Sequence, residues 1–345
     1  MSYQSLYRTY RPKTFAEVEG QPQVTGPLAE QISSKKIGHA YLFSGSRGLG
    51  KTSVARILAR EIGCTEKDLY EIDAASNNSV DDIRALSEGV YTMPFESPYK
   101  VYILDEVHML SKSAWNAFLK TLEEPPEYVV FVLATTEIEK VPDTVQSRCQ
   151  VFDFKKPTRA VLARVVSGVA KKEGYEIERG ASELVAMLAD GSYRDALSVL
   201  QRVLATAHDK SLSRDIVEET TGAPKREFVH SLVSAISGGS RKDALTVLER
   251  VRKSGADISL FLALLIEALR NTLLLRYAPE LRDTILEEIG SDEGDILLEY
   301  AKDSSASRVT HSTLLAFLNA SDRIRFSPIP VLPLELAILE IFPDV

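Results

Sequence analysis

The chain has 345 residues, 44% of them hydrophobic and 26% charged, and a formal net charge of −8. At about 150 residues per domain this predicts two or three domains, each able to bury its own core. The acidic balance excludes a surface that is basic throughout, so any nucleic-acid footprint must be local, built from clustered Lys and Arg.

The start of the chain, Met1-Ser2-Tyr3-Gln4-Ser5, lacks the apolar core of a signal peptide. No stretch reads as the run of about 20 apolar residues that crosses a bilayer, which predicts a cytoplasmic protein with no membrane partner. Five apolar runs then alternate with helical stretches: 40–44, 70–73, 101–104, 129–134 and 150–154. That alternation predicts an α/β domain, a parallel sheet with helices on both faces and its ligand at the carboxyl edge of the strands. After Pro157 everything reads helical, with apolar faces over 159–170, 182–188 and 195–204. Gly222-Ala223-Pro224 marks a second boundary. Helical patterns follow over 244–251, 258–275 and 311–326, and 259–275 is apolar nearly all round, as in a bundle core or a subunit interface. The expected domains are therefore 1–157, 158–221 and 222–345.

Gly45-Ser46-Arg47-Gly48-Leu49-Gly50-Lys51-Thr52 has the pattern G-x-x-x-x-G-K-T between the run Tyr41-Leu42-Phe43 and a helical segment that includes Ser53 and Val54. A strand that opens a helix through such a loop leaves backbone N–H groups pointing inward, and polyphosphate is their natural ligand. Lys51 would reach the β- and γ-phosphates, and the Thr52 hydroxyl would ligate Mg²⁺. Asp105 and Glu106 close a second apolar run. An acidic pair after a strand is ordinarily a helix start; with a phosphate loop upstream, Asp105 becomes the candidate for holding Mg²⁺ and Glu106 the candidate base for the attacking water.

Three further clusters characterise the NTPase. Thr135-Thr136 ends a strand with hydroxyls, Ser147-Arg148-Cys149 precedes the last strand, and Gly191-Ser192-Tyr193-Arg194-Asp195 opens a helix. Each Arg alone reads as a surface ion-pair partner; together, at these distances from the phosphate loop, they resemble the sensor 1, trans arginine finger and sensor 2 of an AAA+ ATPase. The opening Tyr7-Arg8-Thr9-Tyr10-Arg11-Pro12-Lys13-Thr14-Phe15 resembles the γ/τ subunit of the bacterial DNA polymerase III clamp loader. So do Glu71-Ile72-Asp73-Ala74-Ala75-Ser76, Asp105-Glu106-Val107-His108-Met109-Leu110, Leu119-Lys120-Thr121-Leu122-Glu123-Glu124-Pro125-Pro126 and Arg194-Asp195-Ala196-Leu197-Ser198. These motifs reach to about Leu204. Beyond Gly222 the likeness is one of length and helical character.

The resemblance implies an AAA+ nucleotide-binding domain, a helical lid and a helical collar that oligomerises. It implies a motor that uses ATP and Mg²⁺ to open a ring-shaped sliding clamp and place it on primer–template DNA. Gly45 to Ser53 would hold the phosphates, Arg11 and Pro12 would lie by the adenine, and Arg194 would touch the nucleotide from the lid. Thr136, with Thr135 as its neighbour, would be sensor 1, and Arg148 would complete the ATP site of the adjacent subunit. Asn77, Ser79, Arg84 and Lys120 match positions that follow the DNA backbone, although Lys120 by itself reads as a solvated helix lysine. Partners implied are δ- and δ′-type subunits, copies of this chain and the sliding clamp. Cys64 matches the first ligand of a four-cysteine zinc module, but only 65–72 separate it from Asp73, so zinc is expected to be absent. The τ-type extension is likewise expected to be absent. Two competing readings are a non-hydrolysing scaffold subunit and another AAA+ machine, such as a branch-migration helicase or the small subunit of replication factor C. Intact Lys51, Glu106 and Arg148 argue against the first; Glu123-Glu124-Pro125-Pro126 and Asp73-Ala74-Ala75-Ser76 argue against the second.

Overall fold

In the computed structural model the described residues are 4–207, 209–289, 291–302 and 308–342. The five apolar runs form the strands β1 (Ala40–Ser44), β2 (Leu69–Asp73), β3 (Lys100–Asp105), β4 (Val129–Thr135) and β5 (Gln150–Asp153). They make one parallel sheet in the order β2-β3-β4-β1-β5. Every residue of β1 and β4 is buried, which explains why these strands read as continuous apolar runs: both faces are covered.

The period of two divides each strand between two cores. Leu42, Leu104, Phe131 and Leu133 face α4 (Val80–Val90) and α5 (Lys112–Glu123), where Ile83, Leu86, Trp115 and Phe118 meet them. Phe118 stands edge-on to Phe131, centroids 5.2 Å apart. Tyr41, Phe43, Ile103 and Val132 face the opposite way, onto Val24 and Leu28 of α2 (Pro22–Ser33) and Val54 and Leu58 of α3 (Lys51–Glu61). Register brings Ser44 beside Thr135 and Asp73 beside Asp105. The ends of β1, β3 and β4 are thus neighbours, and motifs far apart in sequence converge on one sheet edge.

The chain divides into two compact units, 1–173 with 185–201, and 174–184 with 202–345. The first holds the sheet, α1 (Leu6–Thr9), α6 (Asp143–Gln146), α7 (Arg159–Lys172) and most of α9 (Tyr193–Thr206); the cut also crosses α8 (Arg179–Leu188). The second unit corrects the expectation of helix throughout after Pro157. Glu176–Ile177 (β6) and Ser211–Leu212 (β7) form a short parallel ladder, two residues long and therefore without a period to read.

The rest of this unit contains α10 (Arg214–Thr221), α11 (Arg226–Ser237), α12 (Arg241–Ser254), α13 (Ile258–Tyr277), α14 (Arg282–Ile289), α15 (Ser291–Lys302), α16 (His311–Ile324) and α17 (Leu332–Ile341). Helix α13 packs against α11, α15 and α16, burying Phe261, Leu262, Leu265, Ala268, Leu269 and Leu275. By length and composition alone α13 could cross a bilayer. That corrects the expectation that no such run exists; here the helix supplies the centre of a helical core.

A polar cluster lies beside this core. Glu218 Oε1 accepts from Arg214 Nε at 2.9 Å and from the Arg226 backbone N–H, and Arg226 Nε donates to His230 Nε2 at 3.1 Å. Burial, and then the Arg226 and Arg214 cations, push the His230 imidazole down to about 4. In the unfolded chain a histidine binds its proton at about 6.5. The folded form therefore takes up fewer protons between those values, and stability present above about pH 6.5 is lost as pH falls toward about 4. Equilibrium unfolding across that range should show the loss, and His230→Gln, which accepts the Arg226 bond but cannot titrate, should flatten the profile; equal slopes would remove His230 as the cause.

Candidate nucleotide site at the carboxyl edge of the sheet

The loop after β1 turns on glycines. Gly45, Gly48 and Gly50 have φ of 133°, 79° and 96°, values that L side chains rarely adopt. Gly50 caps α3 without a side chain, so the first N–H groups of that helix are left to an external acceptor. Lys51 opens the helix and is 6% exposed. Its Nζ donates to the carbonyls of Gly45 at 2.5 Å and Ser46 at 2.9 Å. Burial lowers the affinity of this amine for its proton; Glu106 and Asp105 oppose the shift, and Arg194 adds to it. An ammonium buried under a loop of free N–H groups, with carbonyls as its hydrogen-bond partners, is a fit for an anion.

Across the loop, Thr52 Oγ1 donates to Asp105 Oδ2 at 2.8 Å. That hydroxyl and carboxylate are both hard oxygen donors and fit Mg²⁺. Glu106 follows in the left-handed region with φ of 51°, which turns its side chain out of the strand path. Its Oε2 accepts from Thr136 Oγ1 at 3.1 Å. Thr135 is fully buried and its hydroxyl is used by the Glu137 backbone N–H and by His108; of the two threonines, Thr136 reaches the acid.

One cleft is lined by Arg11, Pro12, Arg47, Gly48, Leu49, Gly50, Lys51, Thr52, Ser53, Asp105, Glu106 and Arg194. Tyr7, Tyr10, Glu17, Val18, Glu19, Val165, Tyr193 and Leu197 add to its walls, and sequence reasoning assigned a site role to none of these. Tyr7 and Tyr10 belong to the opening motif 7–15, which was the available signal. The Arg194 guanidinium lies 5.6 Å over the Tyr7 ring. Arg11 is partly buried, which lowers its pKa, with Arg56 acting in the same direction. The start of α9 is tied to the loop: the Tyr193 N–H donates to the Gly48 carbonyl at 3.1 Å, and its hydroxyl to the Glu19 carbonyl at 2.6 Å.

Other candidate residues lie elsewhere. Arg148 is not in the cleft; its guanidinium donates to the Thr144 carbonyl at 2.6 Å and to Glu123 Oε1 at 2.5 Å. Asn77 Nδ2 donates to the Asp73 carbonyl at 2.9 Å. Ser79 caps α4 in a reciprocal pair with Asp82. Both side chains are therefore engaged by their own turn, Ser79 while still exposed and Asn77 while partly so. Arg84 pairs with Asp81 at 3.2 Å on the surface, and Lys120 is exposed on α5.

Comparison with known proteins accounts for nearly the whole chain. The family model for the DNA polymerase III delta subunit matches residues 20–78 and 64–158. That for the DNA polymerase III clamp loader subunit ATPase lid domain matches 162–209, and that for domain III of DNA polymerase III subunits gamma and tau matches 212–343. The chain is 41% identical over 314 residues to DNA polymerase III subunit tau of Bacillus subtilis, covering 85% of this chain and 55% of the relative. The chain belongs to the γ/τ family of DNA polymerase III clamp-loader subunits.

A second γ/τ relative, subunit tau of Escherichia coli, is 43% identical over 243 residues, covering 64% of this chain and 38% of the relative. The chain thus spans about half or less of the length of the curated relatives it matches. Thermotoga maritima RuvB, a Holliday junction branch migration motor, shares the AAA+ fold at a TM-score of 0.54 and 22% identity, covering 72% of this chain and 86% of that one.

In this γ/τ-family chain the segment after α3 runs directly into β2. Cys64 is buried, its thiol donating to the Thr65 carbonyl, and burial raises its pKa to about 11; burial raises Cys149 to about 12. Among the described residues no group of three or more His, Cys, Asp or Glu is placed to hold a metal ion.

The contact between the phosphate loop and α9 yields a prediction. A Cβ on Gly48 would fall 2.1 Å from Ser192 Oγ, and that hydroxyl accepts the Asp195 N–H at the start of α9. Gly48→Ala should cost roughly 1–3 kcal/mol through the lost cap and the left-handed backbone, measured by denaturant unfolding. A change below about 0.5 kcal/mol, the scale of an ordinary surface substitution, would show that the loop does not press on α9 as described.

Proposed function

We propose that this chain is an ATPase motor subunit of a DNA polymerase III clamp loader, using ATP to open a sliding clamp and load it on primer–template DNA. The observation that carries the reading is the set converging on one sheet edge: a buried Lys51 ammonium, the Thr52–Asp105 pair and the Glu106–Thr136 pair. Its division into a nucleotide-binding domain (1–157), a lid (158–221) and a collar (222–345) is part of the proposal. So are a cytoplasmic location, assembly with δ- and δ′-type subunits and copies of itself, and the absence of a zinc ion.

In this reading Gly45 to Ser53 wrap the phosphates, and Lys51 offers its ammonium to them in place of the two loop carbonyls. Thr52 and Asp105 would hold Mg²⁺, which when bound would neutralise charge on the phosphate oxygens. Glu106 accepts a proton from the attacking water, and the Thr136 hydroxyl fixes the orientation of the acid. Arg194 faces the phosphates from α9, and Arg11 and Pro12 enclose the base. Arg148 lies outside its own cleft and acts on the neighbouring subunit's site, exchanging Glu123 for developing phosphate charge. Asn77, Ser79, Arg84 and Lys120 follow the DNA backbone; the Asn77 bond to the Asp73 carbonyl and the capping role of Ser79 leave the positive charge of Arg84 and Lys120 as the main attraction.

A chain that lacks its neighbour's guanidinium should turn over slowly alone and faster in the assembly, most of all with clamp and primed DNA present. Arg148→Ala in the assembled particle should lower turnover by roughly 10³-fold while nucleotide affinity of the isolated chain stays unchanged. Absence of stimulation with every partner present would overturn the motor reading, and unaltered turnover in Arg148→Ala would overturn the trans role. Elemental analysis of the purified chain should find no stoichiometric zinc; one zinc per chain would refute its absence.

A further inference from the structure

His108 is the residue of the stretch 105–110 whose ring lies against Thr135, Glu137 and the candidate base Glu106 itself, and the ATPase chemistry leaves it without a role. It sits on the turn Val107–Met109 that follows Glu106, with its side chain 7% exposed. Nδ1 lies 3.0 Å from Thr135 Oγ1 and 3.5 Å from Glu106 Oε2. Nε2 lies 3.3 Å from Glu137 Oε1.

The proposed proton placement turns on the Thr135 hydroxyl. Its oxygen accepts the Glu137 backbone N–H at 3.0 Å, and with the hydroxyl proton directed at the imidazole Nδ1 is the acceptor. The ring proton then sits on Nε2 and faces the Glu137 carboxylate, which Lys140 also holds at 2.7 Å. A neutral imidazole in this tautomer bridges the turn after β3 to the end of β4. It also turns a lone pair, not an N–H, toward Glu106. The Thr136 hydroxyl is then the side chain that donates to this carboxylate.

We propose that His108 is a positioning residue: a neutral imidazole, accepting from Thr135 and donating to Glu137, that fixes the turn carrying Glu106 against the end of β4. The proposal rests on the ATPase reading for its consequence but not for its geometry. The geometry is tested on the full chain, free of nucleotide, by ¹⁵N–¹H correlation of its five histidines, with the His108 signal assigned by its loss in His108→Asn. At about pH 7 the expected signature is a bare Nδ1 and a protonated Nε2; the opposite tautomer or an imidazolium would overturn the proposal whether or not the chain hydrolyses ATP.

The consequence is tested in the assembled particle. His108→Ala should lower kcat about 10- to 100-fold with KM for ATP, and the Mg·ADP affinity of the isolated chain, within about twofold of wild type. His108→Asn, whose amide reaches the Nδ1 position and can accept from Thr135, should recover most of the rate. His108→Gln, whose amide reaches only the Nε2 position, should recover less. A wild-type kcat in His108→Ala, a loss of nucleotide affinity equal to the loss of rate, or recovery by Gln and not Asn would each overturn it. If His108→Ala does not fold, the order of Asn and Gln decides alone. A wild-type particle without turnover would instead sink the motor reading, and the tautomer measurement would then decide the His108 geometry by itself.

Discussion

Everything at the carboxyl edge is organised by one buried cation. An ammonium removed from water costs several kcal/mol unless compensated, and in this chain Lys51 is compensated by two carbonyls of the loop that precedes it. Asp105 and Glu106 add attraction from the end of β3 without sitting in an ion pair with it. The loop is therefore shaped around a positive charge that a bound anion would satisfy better, and the glycines at 45, 48 and 50 let the backbone take that shape. Parallel register then delivers the acids: β3 and β1 flank β4, so Asp105, Glu106 and Thr136 lie beside the loop without any local sequence signal tying them to it.

The fold places the two arginines differently. Arg194 enters the cleft because the start of α9 is hydrogen-bonded to Gly48. Arg148, on the segment before β5, is pointed at Glu123 and Thr144 instead. A half-exposed Arg–Glu pair of this kind contributes at most about 1 kcal/mol. Under the proposed function, incompleteness of the single chain makes turnover conditional on assembly.

Much of this was legible in the sequence. Apolar runs alternating with helical stretches predicted the strands and their parallel pairing, and the runs of β1 and β4 are continuous because both faces are covered. The phosphate loop after one apolar run and the Asp105–Glu106 pair at the end of another predicted that the two meet at the carboxyl edge of a parallel sheet. What the sequence hid has physical reasons. The β6–β7 ladder is too short to carry a period. Helix α13 reads as core or interface yet passes as a bilayer span by composition, since a helix buried on several sides and one in lipid share the same residues. Ser79 stands three residues before Asp82, a spacing that specifies a helix cap, and the same hydroxyl reads from family likeness as a phosphate contact. His108 lies inside the motif 105–110 with no role legible there, because a lone histidine gains meaning only from what tertiary packing sets against its two nitrogens.

The central claim, that a buried Lys51 ammonium holds the ligand's charge, is tested most directly by calorimetric titration of Mg·ADP into the full chain and into Lys51→Met, which keeps the side-chain volume and removes the charge. The account predicts that affinity falls at least about 100-fold, the scale of losing a charge-assisted hydrogen-bond partner in a dry site, with the unfolding transition preserved. Binding equal to wild type in a folded Lys51→Met chain would contradict it.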